Sequence, residues 1–457
     1  MTSLKTVLHQ HAAGVALLFM IFGSFIAGYD YALSKSLSDY YYQYFHIWSG
    51  SSFQPTIASV EALGSFAGAV LIAILIRHAE MKFRTLYAIF MPLYSILAVL
   101  LVFANNTYIF IILRFAASLS ASALFVIALA FVALIGKGVF KRSPSIMTKR
   151  ILLILGGYGL GLCLATNISR LMMIFASNEW LVDWGWRLCF QLIVFPAIVG
   201  VILFIFSSSV TNDKIAKIAY RDPYQSGRPG MNIYRKMLIL SFAILILGFF
   251  SGQSVIFYST PDIFPNIPWT STSNDITAMI IFAVYFLSVV FIYFLVGKTS
   301  VRKVEIISIS VVLSIMIILG LFDVLNNSID FTSNQGLSYV FDLFVYVHSF
   351  ANEIAFWVIP YLIVVRITPL YRLGFALSFT AGAGFLGEML SILLPKVGEN
   401  IIICIMVCIL SLLLVIFMIP KKLDKEDKEI INRHLISRSN NIEKSKTGKK
   451  GGSRGTR

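Results

Sequence analysis

Ionisable side chains stand inside long apolar runs of this sequence, and a charge placed there is costly enough that function is its default reading. Asp30 lies late in the first run, within Gly28-Tyr29-Asp30-Tyr31, and Arg114 lies early in the fourth. Successive runs that cross a bilayer alternate in direction, so these two fall at similar depth toward the outer side. An Asp–Arg pair there lowers the cost of both charges. The arginine also tunes the proton affinity of the carboxyl, which proton-coupled transport requires. The plainer alternatives are a static salt bridge between helices, or an Arg114 that snorkels to the surface. Glu353, near the middle of the tenth run, is the deepest carboxyl and the second candidate for proton coupling. Glu388, in the outer half of the eleventh run, and Arg170, toward the outer end of the fifth, are candidate solute contacts. Arg170 either attracts an anionic solute or reaches out to water. Glu61, near the outer end of the second run, reads as touching headgroups or water.

Polar and aromatic residues add to this set. The seventh run carries Ser251, Gly252, Gln253, Ser254 and Tyr258, then Pro261. Ser254 and Tyr258 share a helix face, and small polar residues before a proline suit a helix that breaks beside a cavity. Close helix packing through Gly and Ser is the bland alternative. Trp357 lies away from the usual interfacial belt, where an indole either stacks on a solute or fills a core. Gly156, Gly157, Gly159 and Gly161 form a close-approach surface, without the strand and acidic partner of a dinucleotide site. Cys404 and Cys408 are one helical turn apart, but no His or Asp follows at ligand spacing. No residue set calls for a catalytic role, a metal or a cofactor, and with six His in all no interfacial cluster of a membrane enzyme is visible.

The elements that must hold these residues follow from composition. Of 457 residues, 58% are hydrophobic and 13% charged, against about 45–50% and about 25% in ordinary soluble domains. That excess excludes a soluble enzyme, a disordered chain and a collagen-like fibre. Each bilayer crossing takes roughly 20 apolar residues. Twelve such segments are present, near 12–34, 56–77, 86–104, 108–136, 151–177, 187–208, 237–260, 276–297, 303–324, 339–365, 372–394 and 400–420. The expected fold is an all-α integral membrane protein. It has an N-terminal six-helix half (1–208), a cytoplasmic linker (209–236), a C-terminal six-helix half (237–420) and a disordered basic cytoplasmic tail (421–457).

Charge orients the chain. The net charge is +15, and Lys and Arg gather in alternate loops and in the tail. The other side has little beyond Lys35, Arg187 and Lys396. By the positive-inside rule both termini are expected in the cytoplasm, with the protein in the cell membrane. No basic groove interleaved with aromatics or zinc-finger spacing supports a nucleic-acid partner.

The pattern resembles the major facilitator superfamily, most closely its sugar-porter and metabolite:proton symporter branches. Gly28-Tyr29-Asp30 is similar to the first-span motif whose Asp couples protons, and Arg114 to the arginine that pairs with it. Trp186-Arg187 with Pro196 resembles the signature opening the sixth span. Gly252-Gln253-Ser254 through Tyr258, Pro261 and Phe264 resembles the seventh-span segment lining the sugar site. Trp357, then Pro369, Arg372 and Gly374, resembles the tenth-span tryptophan and its following loop. The sugar porters' double glutamine of the seventh span and the glutamine of the fifth are absent, and Lys298 stands where an Asp is expected. The resemblance implies a proton-coupled symporter of a small polar solute such as a sugar or organic acid, working by alternating access as a monomer in lipid. An uncoupled facilitator or exporter on the same fold is the alternative, and a non-transporting sensor a more distant one.

Overall fold

The computed structural model of the chain describes residues 2–47, 53–78, 83–138, 144–206, 231–253, 271–296, 298–326, 335–368, 370–394, 397 and 400–419. Ser254 and Tyr258, residues 209–230 of the expected linker and the tail 421–457 lie outside them. The described chain is almost wholly helical. Eleven helices among the described residues are long and apolar enough to cross a membrane, and Met279–Leu295 is a shorter apolar one. They fall at the positions of the twelve apolar runs.

In chain order the helices are α1 (Thr2–Ser36), α2 (Ser38–Tyr44), α3 (Phe53–His78), α4 (Phe83–Val102), α5 (Thr107–Gly138) and α6 (Pro144–Phe175). Next come α7 (Asn178–Trp180), α8 (Trp186–Leu192), α9 (Val194–Phe206) and α10 (Met231–Gly248). The rest are α11 (Ser271–Leu295), α12 (Val301–Asn326), α13 (Gln335–Asn352), α14 (Ile359–Ile367), α15 (Leu370–Leu393) and α16 (Ile401–Met418). Three wider turns interrupt them: Leu181–Gly185, Phe249–Gln253 and Glu353–Val358 have π-helical bonding. Such insertions shift the helix face and cluster at functional positions. The π turn at Phe249–Gln253 contains Gly252 at φ 100°, a left-handed conformation natural to glycine. The seventh span therefore kinks where its small polar residues predict a break.

The sixth span starts earlier than the sequence predicts, at Asn178 rather than near 187. Arg187 marked the expected boundary as a loop charge, but it is buried inside the helix. Its guanidinium lies 4.1 Å from the Tyr44 ring and donates to the Asp183 and Ala104 carbonyls. Cation–π stacking and backbone acceptors hold the charge without a loop.

Helix packing places the site. α1 lies against α6 and α5, α3 against both α5 and α15, and α11 against α6. The glycine-rich run on α6 makes two of these approaches. A β-carbon at Gly157 would lie 2.9 Å from the Ile21 carbonyl, and one at Gly161 would strike the Phe25 carbonyl. Gly28 on α1 meets the Tyr158 carbonyl in return, while Gly159 faces Tyr285 of α11. Small residues let membrane helices close in this way. Gly161→Leu is expected to force α1 off α6, destabilising the protein by at least about 1–3 kcal/mol. A thermal melt of the detergent-solubilised variant checks this; a wild-type midpoint would show that the contact is not tight.

Candidate functional site

Six side chains on five helices surround one buried guanidinium. Arg114 on α5 is 1% exposed and Asp30 on α1 is 2% exposed. Arg114 Nη1 donates to Asp30 Oδ1 at 3.0 Å and Nη2 to Oδ2 at 3.4 Å. Its Nε donates to Glu61 Oε1 on α3 at 2.9 Å. Tyr94 on α4 donates its hydroxyl to Asp30 Oδ1 at 2.9 Å. The Ser34 hydroxyl donates to the second Glu61 oxygen, and Tyr41 in α2 donates to the Ser34 carbonyl at 3.1 Å. The Phe190 ring covers the guanidinium at 4.9 Å. Phe190 belongs to an aromatic cluster around the fully buried Trp186, with Tyr41, Tyr44, Phe45 and Phe110. Buried charges are tolerable only when paired and hydrogen-bonded in this way.

Glu61 corrects the sequence reading. Instead of facing headgroups it completes a cluster of two carboxylates on one arginine. Protonating one carboxylate would leave the arginine an intact partner in the other. That is the arrangement a reversible proton site needs, since it avoids stranding a charge. A cavity of about 370 Å³ opens onto Asp30, Glu61 and Arg114, with Ser118 and Ser122 on its wall.

A second cavity of about 530 Å³ adjoins the first. Tyr31 and Lys35 of α1 and Tyr158 and Leu162 of α6 form one side. Opposite stand Phe249, Phe282 and Tyr285 of α11, Glu353, Trp357, and Phe385 and Glu388 of α15. Tyr31, Lys35, Tyr158, Phe385 and Glu388 line both cavities. Lys35 Nζ bonds Glu388 Oε1 at 2.5 Å, with side chains 20% and 5% exposed. This ion pair ties the first helix to the eleventh span across the wall between the cavities. Trp357 lies near-parallel to Phe125 at 6.4 Å and 5.8 Å from Tyr158, with Gly384 leaving room for its indole.

The expected site residues therefore separate. Asp30 and Arg114 meet in one cavity, Glu353 and Trp357 line the other, and Glu388 lines both. Arg170 lines neither; it is half-buried near the end of α6, with Nη1 3.4 Å from Met173 Sδ. Ser254 and Tyr258 fall outside the described residues.

Sequence reasoning missed two further polar features. Lys35 reads as a loop charge, because it ends an apolar run. His348 on α13 lies beside the kinked seventh span, its Nε2 3.2 Å from the Ser251 carbonyl, and Ser251 donates to Asn352 Oδ1 at 2.5 Å. A buried His, Ser and Asn in apolar runs were visible in the sequence, but their meeting was not.

The model of the sugar (and other) transporter family matches residues 213–430. No curated protein matches the chain in sequence. Among solved structures, the proton:xylose symporter XylE bound to 6-bromo-6-deoxy-D-glucose is 16% identical. The match covers 90% of this chain and 95% of that one, with a TM-score of 0.71. An inward-open XylE from E. coli gives 17% identity, 88% and 96% coverage and a TM-score of 0.63. The human organic anion transporter MFSD10 (TETRAN) gives 11% identity, 88% and 99% coverage and a TM-score of 0.63.

Proposed function

We propose that this chain, multi-pass in the membrane and distant in sequence from the proteins it resembles, is a member of the major facilitator superfamily and works as a proton-coupled secondary active transporter. It moves a small polar solute by alternating access, and transport rather than catalysis is its activity. The sugar or organic acid implied by the sequence resemblance is the starting point for a substrate panel. One observation carries the reading: a fully buried Asp30–Arg114 pair, backed by Glu61, faces a cavity that shares a wall with a central aromatic one. Buried ionisable groups at membrane depth mark proton and solute pathways. The Trp357 and Glu388 contacts and a second coupling role for Glu353 belong to this proposal; Arg170 has no place in it.

The mechanism assigns each group a task. The six-helix halves, 1–208 and 237–420, rock about the central cavity, joined by the linker 209–236. The basic loops, the tail and both termini face the cytoplasm, which puts Ser36 and the Lys35–Glu388 pair on the outer side. Asp30 takes a proton from that side and loosens from Arg114, while Glu61 keeps the guanidinium paired. Solute entering the central cavity competes for Lys35 or Glu388, and the link between the halves weakens. The state that opens inward is then selected by its lower cost. Proton release inside restores the Asp30 pair.

The experiment is solute-driven proton movement in vesicles carrying the purified chain. A coupling solute added outside is expected to alkalinise the external medium. Saturable uptake of solute with no proton movement would leave the uncoupled facilitator instead.

A further inference from the structure

We propose that Glu61 is the first acceptor of the coupling proton and hands it to Asp30 through the cavity they share. The inference rests on reading Asp30 as the coupling carboxylate, and it adds the route by which the proton arrives.

Access comes first. The Asp30 side chain is 3% exposed and that of Glu61 14%. Asp30 Oδ1 already accepts from both Arg114 and Tyr94, at 3.0 and 2.9 Å. Its Oδ2 is the freer oxygen, 3.4 Å from Arg114 Nη2. A proton that reaches the cluster from water therefore meets Glu61 more readily than Asp30.

The surroundings let Glu61 hold either protonation state. Its Oε1 accepts from Arg114 Nε at 2.9 Å, and its Oε2 accepts the Ser34 hydroxyl. A hydroxyl both donates and accepts, so Ser34 can turn to receive the O–H of a protonated Glu61. Tyr41 and Tyr42 of α2 lie close enough for their hydroxyls to feel the Glu61 charge. Arg114 is the basic group bonded to it, and Asp30, Lys35 and Glu388 face the same cavity.

The handover strands no charge. With the proton on Glu61, Arg114 keeps Asp30 at 3.0 Å; with the proton on Asp30, it keeps Glu61 at 2.9 Å. An unpaired buried guanidinium, the costly state, is never visited. Water carries the proton across. The cavity of about 370 Å³ is lined by both carboxylates and by Ser65, Ser118 and Ser122, which give a water the polar partners it needs. Ser118 is 3% exposed, and its hydroxyl makes no hydrogen bond among the described residues, so it is available to hold that water. The step balances. Outside water protonates Glu61 Oε2, Glu61 passes its proton to the cavity water, and that water gives one of its own to Asp30 Oδ2. No electrons move.

The test follows the proton itself, so it needs no solute. In the purified full chain, a downward pH jump is followed by time-resolved infrared absorption of the buried carboxylic acid. The Asp30 band is the one that Asp30→Asn removes. Each variant is jumped to a pH below its own midpoint, so that the final amplitude is complete. Glu61→Gln is expected to keep that amplitude and slow the rise of the Asp30 band by about 100-fold, the scale on which a positioned proton donor acts. Glu61→Asp should restore most of the rate, which a merely structural role would not predict. Ser118→Ala should slow the rise by about five-fold, the worth of one hydrogen bond to the bridging water. The thermal melt of each variant reports folding, and Ser118→Ala carries the test if Glu61→Gln does not fold. A wild-type rate in Glu61→Gln, or in Ser118→Ala where it stands alone, overturns the relay and leaves Asp30 as the coupling site. So does slow protonation that Glu61→Asp fails to rescue. An Asp30 that never protonates in the wild-type chain overturns the coupling reading together with this one.

Discussion

Asp30→Asn is expected to abolish uphill uptake while leaving the protein folded. The substitution is nearly isosteric. Its amide oxygen still accepts from Tyr94, now 2.9 Å from Asp30 Oδ1, and still faces Arg114. Arg114 keeps a charged partner in Glu61 at 2.9 Å, so its guanidinium is not stranded. What disappears is the group that binds and releases a proton. Under an inward proton gradient the rate of concentrative uptake should fall by about 100-fold or more, the scale on which loss of a positioned proton carrier acts. Counterflow exchange, which needs only the rocking motion, should persist. The two assays run on the same vesicles separate the outcomes. Concentrative uptake equal to wild type would refute a coupling role for Asp30 and move the search to Glu353. Loss of exchange as well would make Asp30 a structural anchor.

The architecture was legible in the sequence because membrane crossing demands long apolar runs, and twelve of them stand out against a charged fraction of 13%. Asp30 and Arg114 could be paired on paper because helical rise fixes depth. Depth does not fix which way a side chain points, and that is where the reading of Glu61 went astray. Its azimuth is set by two glycines on the same helix face. Gly64 and Gly68 press α3 onto the Phe115 and Leu119 carbonyls of α5, and the same contact carries Glu61 to Arg114. Glu61, Gly64 and Gly68 recur at helical spacing, so the shared face was the available signal. Lys35 and Glu388 are 353 residues apart, and no local pattern announces a pair at that separation. Arg187 misled for a different reason: aromatic faces and carbonyls neutralised a charge that composition assigns to a loop.

Arg114→Met should be the most damaging single change in the cluster, and for stability before transport. It removes the only described cation that pairs with Asp30 and Glu61. Two carboxylates then face one buried space. Breaking a buried ion pair by deleting one member costs about 3–5 kcal/mol, because the survivor stays desolvated. Here two survivors remain, and they repel. By contrast Glu61→Gln leaves the Arg114–Asp30 pair and an amide oxygen in place, so its expected cost is about 1–2 kcal/mol. The informative variant is the triple change Asp30→Asn, Glu61→Gln, Arg114→Met, which removes the whole charge set at once. A neutral network of similar shape is often no less stable than the buried ions it replaces, so the triple variant should melt above Arg114→Met alone. Thermal or denaturant unfolding in one detergent measures all three. A triple variant melting below the single one would mean that Arg114 stabilises through its stacking on Phe190 at 4.9 Å rather than through its carboxylates.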